Sequence, residues 1–248
     1  MNKTTDLNSI KRIAKGLLNV SVLETDYSPM IVSHPFTNCG IVTLLENDNF
    51  FQLDITKSQV ALNKWKAQTQ QQIDESQNVY HVYYLLNDSY RLMFFDQISQ
   101  HLSQEDYAAL LGESWVSSEY ANLDNNVSKK QMLEHFKKAN KEMLMSESEL
   151  ETYEDLDDTL IVYRGVSSKQ KNNTNALSWT TSFGKAKWFA ERWDKGVVYA
   201  ATINKEDVFA YFDRKNEDEV IVDYGKLQNI KVVNKPLPPI QKGQPSME

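Results

Sequence analysis

Apolar and polar positions alternate along this chain with two different periods, and the switches between them mark its elements. Leu7, Ile10, Ile13, Ala14, Leu17 and Leu18 recur at helical spacing, while Lys11, Arg12 and Lys15 take the opposite side. Residues 7–20 are therefore expected to form an amphipathic helix docked on its own domain. The pattern then turns β-like. Met30-Ile31-Val32, Gly40 to Leu45 and Phe50 to Ile55 are short apolar runs, separated by Pro29, Pro35 and the Asn47-Asp48-Asn49 cluster. The last two runs predict a hairpin. Residues 56–76 follow as a glutamine-rich helix with Val60, Trp65 and Ile73 facing inward, and Val79 to Leu86 reads as a strand.

From Ser89 to Met145 the period is helical again. Tyr90 to Leu102 forms one segment, Ser103 with Asp106 three residues on offers a capping box for a second reaching Trp115, and Ser128 caps a third. Met132, Leu133, Phe136 and Ala139 mark the inner face of that third helix, and Trp115 and Phe136 read as core residues. Residues 146–158 are strongly acidic and read as a solvated helix and turn. Beyond them Leu160 to Tyr163, Gly196 to Ile203, Val208 to Phe212 and Leu227 to Val233 are strand-like, and Trp188, Phe189 and Trp193 suit a core. Residues 235–248 hold four of the six prolines and are expected as an extended tail.

Composition narrows the class. With 248 residues, 41% of them hydrophobic, the chain can bury a full core, and its net charge of −7 opposes indiscriminate binding to nucleic acid or anionic membrane. The single cysteine, Cys39, permits no internal disulfide and no cysteine-rich metal site, and suits a reducing cytoplasm. His34, His81, His101 and His135 lack metal-ligand spacing, so no metal is expected. Neither a signal-peptide pattern nor an apolar run of membrane-spanning length is present, so a cytoplasmic protein without membrane contact is expected.

Chemistry concentrates between residues 160 and 222. Leu160-Ile161-Val162-Tyr163-Arg164-Gly165 delivers an arginine at a strand end, followed by a glycine that permits a bend. An arginine so placed can present its planar fork to phosphate, or make a surface ion pair. Ala176-Leu177-Ser178-Trp179-Thr180-Thr181-Ser182 is rich in hydroxyls and runs into a helix that Ser182 can cap. Glu217-Asp218-Glu219 precedes Val220-Ile221-Val222. In an extended segment Glu217 and Glu219 share a face. Such a pair suits glycosidic-bond chemistry, and it equally suits a charged hairpin tip.

In their order and strand context, these three signals resemble the arginine–serine–glutamate class of mono-ADP-ribosyltransferases, bacterial or phage toxin-like enzymes that transfer ADP-ribose from NAD+. The histidine–tyrosine–glutamate class is disfavoured, since no histidine precedes the glycine of the first signal. The chain departs from the family's Ser-Thr-Ser pattern. Aligning Ser178-Trp179-Thr180 puts tryptophan at the middle position, whereas Thr180-Thr181-Ser182 loses the leading serine. The first alignment is preferred because Phe189 then falls where the family places an aromatic against nicotinamide. Leu110 to Trp115, Ser118-Glu119 and Phe136 resemble, less specifically, the helical lead-in of some bacterial members.

The resemblance implies an α+β fold, a split β-sandwich around an NAD+ cleft with helices packed before it. It divides the chain into an N-terminal α+β region (1–88), a transferase domain (89–234, with a lead-in to 158 and a catalytic core from 159) and the tail 235–248. It implies that Arg164, Gly165, Ser178, Thr180 and Phe189 bind NAD+ as substrate, without a metal. Glu219, with Ser178, would stabilise the developing cation, and Glu217 would serve the acceptor. Tyr211 or Phe212 would touch the target. The implied acceptor is an arginine of a protein. The alternatives are RNA or DNA, as in toxin–antitoxin or anti-phage systems with an antitoxin or inhibitor as partner, or a non-catalytic nucleotide-binding module.

Overall fold

Residues 4–46, 48–118, 121–168, 174–193 and 195–240 are described by a computed structural model. It combines helices with antiparallel sheets in an α+β fold. Two compact units, Met1–Leu110 and Leu111–Glu248, divide inside the helix Gln104–Ser117. The sequence pattern put this step at 88/89. The helix Asp88–Ile98 instead belongs to the first unit because it packs on the N-terminal helix.

In the first unit, α1 (Leu7–Leu18) starts where Asp6 accepts the Ser9 N–H at 3.0 Å, and it buries Ile10, Ala14 and Leu18. Strands β1 (Leu23–Thr25), β2 (Ser28–His34) and β3 (Thr37–Cys39) form one antiparallel sheet. The expected hairpin is β4 (Ile41–Glu46) with β5 (Asn49–Asp54), paired from Ile41↔Asp54 to Glu46↔Asn49. In α2 (Gln59–Glu75) the buried stripe is Ala61, Trp65, Thr69 and Ile73. That phase turns Val60 to solvent, against expectation. His34 is fully buried, edge-on to Trp65 at 5.0 Å, and burial pulls its imidazole down to about 4, so it stays neutral.

The strand expected over 79–86 is instead α3 (Val79–Tyr83). Asn78 accepts the His81 N–H at 3.0 Å, and Val79, Val82 and Tyr83, three and four apart, bury one side against α1. The β-prone composition yields to a cap and a packing partner. After α4 (Asp88–Ile98), Ser103 accepts the Asp106 N–H at 3.1 Å and opens α5 (Gln104–Ser117).

The second unit begins within α5. Ser128 and Gln131 form a full capping box on α6 (Lys129–Lys138), which buries Met132, Leu133 and Phe136 but ends before Ala139. After α7 (Lys141–Leu144), the acidic stretch folds as α8 (Glu147–Glu154) and is not wholly solvated. Glu149 is only 4% exposed and accepts the Ser146 and Asp213 N–H groups at 2.9 and 3.1 Å. Burial opposes its charge, but those bonds and the Arg214 guanidinium hold its carboxyl below the usual range.

Six strands build the main sheet: β6 (Thr159–Val166), β7 (Ser178–Thr180), β8 (Val197–Asn204), β9 (Val208–Phe212), β10 (Glu219–Val222) and β11 (Gln228–Val233), in the order β11-β8-β6-β7-β10-β9. Between β7 and β8, α9 (Phe183–Glu191) packs on β6 and β8 through Ala186 and Ala190, which cluster with Tyr163, Val198 and Ala200. Gly165 makes no bend: β6 runs straight through it, opposite Val198. Its small size serves close approach, since a Cβ there would lie 2.0 Å from the Ala186 carbonyl oxygen. Of the expected tail, Leu237 packs on that cluster and donates its N–H to the Tyr163 hydroxyl at 3.0 Å. Residues 241–248 lie outside the described residues. Among the described residues, no helix is long and apolar enough to cross a membrane.

Candidate active site

β6 meets β7 at one register pair, Tyr163↔Thr180, and beside this seam opens a cleft of about 610 Å3. Arg164, Gly165, Ser178, Thr180, Phe189, Glu217 and Glu219 all line it. The seven residues singled out in the sequence thus come together. They reach the cleft from β6, β7, α9, β10 and the turn before β10.

Arg164 leaves β6 partly buried and donates from Nη1 to the Ser178 carbonyl at 2.5 Å. Burial pulls its guanidinium down to about 10, against the opposing pull of Glu219, so it remains charged at neutral pH. Glu219 opens β10. Burial pushes its carboxyl up, and the hydrogen bonds from the Ser178 side chain and the Trp115 indole only partly offset this. The indole N–H lies 3.1 Å from Oε1. Glu217 adds a like charge that raises Glu219 further, and the nearby Arg164 lowers it. Burial also raises Glu217, against the charges of Lys215, Arg192 and Lys185.

The two glutamates share the cleft, but not through an extended run. Asp218 sits at φ 45°, in the left-handed region, and turns its side chain away. There it accepts the Tyr211 hydroxyl at 2.9 Å and pairs with Lys185 at 2.8 Å. The kink, rather than strand alternation, brings Glu217 and Glu219 to the same side. Thr180 lines the cleft, yet its hydroxyl is committed to the backbone: it donates to the Glu217 carbonyl at 2.8 Å and accepts the Ser182 N–H at 3.1 Å. Ser182 caps α9 as anticipated. Tyr211 and Phe212, expected at a target-facing turn, are 6% and 2% exposed. Phe212 instead lines the cleft, with the Arg214 guanidinium 5.2 Å from its ring centroid.

Two residues that hold cleft groups in place escaped the sequence reading. Trp115 is the buried aromatic expected of a core, edge-on to Phe136 at 5.2 Å, yet its N–H serves Glu219. Asn122 accepts the Leu177 and Ser178 N–H groups at 2.9 and 3.4 Å and so anchors β7. Nothing local in the sequence marks either role. Glu119, from the same segment, lies outside the described residues. Trp188 and Trp193 are exposed rather than core, because Ala186 and Ala190 set the inward phase of α9. Among the described residues, no three His, Cys, Asp or Glu side chains group to hold a metal ion.

No family model matches the chain, and neither a curated protein nor a solved structure matches it.

Proposed function

We propose that the chain is a mono-ADP-ribosyltransferase, a glycosyltransferase that breaks the nicotinamide–ribose bond of NAD+ and passes ADP-ribose to a macromolecular acceptor. The observation that carries this reading is the meeting of the Arg164 guanidinium, the Ser178 hydroxyl and the Glu217 and Glu219 carboxylates in a cleft beside an opened sheet seam. A guanidinium offers phosphate a planar fork of donors. Carboxylates beside it repel phosphate, so a module that only binds nucleotide has no use for two of them. They help when positive charge develops on the ribose as nicotinamide leaves.

Each group then has a task. Arg164 holds the phosphates while bracing Ser178 through its carbonyl. Ser178 and Trp115 fix the Glu219 carboxylate by hydrogen bonds, so no reorientation is needed as the cation forms. Glu217, whose carboxyl burial raises, is placed to accept the proton of an incoming nucleophile. Phe189 offers its ring to the nicotinamide side of the cleft.

The test is incubation of the protein with lysate and NAD+ labelled in its adenylate part, following nicotinamide release and macromolecular label. Glu219→Gln should cut both by ~100-fold or more, the loss typical of one preorganised electrostatic group. Its circular dichroism should match that of the parent. A folded variant with near-normal turnover would sink the assignment.

A further inference from the structure

Beside the cleft, α9 ends in an exposed rim. Of the five tryptophans, Trp65, Trp115 and Trp179 are buried, whereas Trp188 is 57% and Trp193 75% exposed. Arg192 lies between these two, its guanidinium carbon 5.2 Å from the first ring centroid and 4.8 Å from the second. Lys187 and Lys195 are exposed nearby in the chain, with Glu191 the partial counter-charge 3.9 Å from Lys187. Arg192 and Trp193 also line the cleft, so the rim runs into the site.

We propose that this rim docks a single-stranded nucleic acid and presents it as the acceptor of ADP-ribose. The acceptor role rests on the transferase reading above. Large exposed rings interleaved with cations are what a single strand requires: unpaired bases stack on the rings, and phosphates meet the charges. Paired bases expose no face to them. The charge around Glu217 points the same way. Lys215, Arg192 and Lys185 already act on this carboxylate. Lys185 is held by Asp218, but Lys215 and Arg192 line the cleft, where a polyanion is drawn to them. In the transfer, the ribose C1′–N bond breaks and its electron pair leaves with nicotinamide. A nitrogen or oxygen lone pair of the nucleic acid forms the new bond to C1′, and the displaced proton passes to the Glu217 carboxylate.

The test begins without NAD+. The full chain is titrated with fluorescein-labelled oligo(dT), oligo(U), a duplex and an arginine-rich peptide. Both single strands should bind more tightly than the duplex and the peptide, with affinity falling as salt rises. Trp188→Ala and Trp193→Ala should each weaken single-strand binding by roughly tenfold. Trp188 does not line the cleft, so Trp188→Ala should leave NAD+ hydrolysis unchanged. With labelled NAD+ present, label should enter the oligonucleotide and be released by nuclease. Binding indifferent to both tryptophans would overturn the docking surface. Label confined to a protease-sensitive fraction would overturn the acceptor and restore arginine. Tryptophan-dependent binding without any nicotinamide release would sink the transferase reading and the acceptor role while the docking surface stands.

Discussion

The two edges of β6 differ sharply. Along one, every residue from Thr159 to Val166 has a partner on β8, ending at Val166↔Val197. Along the other, the only register pair between β6 and β7 among the described residues is Tyr163↔Thr180. The first edge is closed by ladder bonds. At the second, side chains take the place of the ladder: Arg164 donates to the Ser178 carbonyl, and Asn122 accepts the Leu177 and Ser178 N–H groups. A buried backbone group left without a partner costs about 1–3 kcal/mol, so a seam can open only where such substitutes exist. Arg164 and Ser178 therefore both hold the seam and line the cleft it creates. Architecture and the proposed chemistry share the same atoms there, and on the β8 edge they do not.

The contrast breaks most severely at Gly165. A Cβ there would lie 2.0 Å from the Ala186 carbonyl oxygen, 2.6 Å from the Ala190 nitrogen and 2.9 Å from the Phe189 Cβ. Two of these are backbone atoms, which cannot rotate away. Gly165→Ala should cost at least about 3 kcal/mol, the upper range for overpacking, and should remove soluble, cooperatively folded protein. Gly184→Ala is the control: only the Ser182 hydroxyl oxygen lies near, at 3.8 Å. It should be neutral or stabilise by up to about 1 kcal/mol, the alanine advantage within a helix. Chemical denaturation of both variants decides. Equal stability would mean that α9 can lift from β6 and that the closed edge is no more rigid than the seam.

The same division governs what the sequence could reveal. Periodicity found α1, α2 and α6, because each buries one regular face, and apolar runs found β6, β8, β9 and β11, whereas the three-residue β7 read only as a hydroxyl-rich stretch. It failed at 79–86, where valine and tyrosine suit either state and the Asn78 cap decides. The phase of α9 was legible in Phe183, Ala186 and Ala190, three and four apart, yet tryptophans were assigned inward by residue type. The Glu217–Glu219 pair was found through an alternation that the left-handed Asp218 does not follow. Trp115 and Asn122 left no trace because their partners lie far along the chain: Trp115 reaches Glu219 and Asn122 reaches Leu177. Local pattern exposes faces and motifs, while hydrogen bonds across a seam belong to the assembled fold.

Arg164→Lys sharpens the comparison on the open edge. Lysine keeps the charge but has one donor centre, so it cannot brace the Ser178 carbonyl and grip a phosphate with a second, parallel bond. NAD+ affinity, measured by calorimetry, should fall roughly 10–100-fold, the range for losing one charge-assisted hydrogen bond. Thermal stability should fall as well, since the seam loses a bond. Unchanged NAD+ affinity with lower stability would assign Arg164 to the seam alone.

The smallest and most specific effect should come from Trp115→Phe. Phenylalanine keeps most of the edge-on packing against Phe136 but removes the N–H that lies 3.1 Å from Glu219 Oε1. Loss of one such bond should slow transfer by roughly two- to tenfold, its ordinary net worth. The pH dependence then separates positioning from packing. Burial already raises the Glu219 carboxyl, and the indole bond holds it down, so removing the bond raises it further. Because the proposed mechanism uses the ionised form, the acid limb of the rate profile should move to higher pH. Stability follows the same linkage: a carboxyl raised in the folded state contributes stability that is fully present below its unfolded pKa and is lost as pH rises through its folded pKa. A larger rise means a larger loss. The variant's stability deficit should therefore be widest near neutral pH and shrink as pH falls below the ordinary carboxylate range. A deficit of constant size, with an unmoved acid limb, would reduce Trp115 to a packing residue and leave Ser178 to orient Glu219.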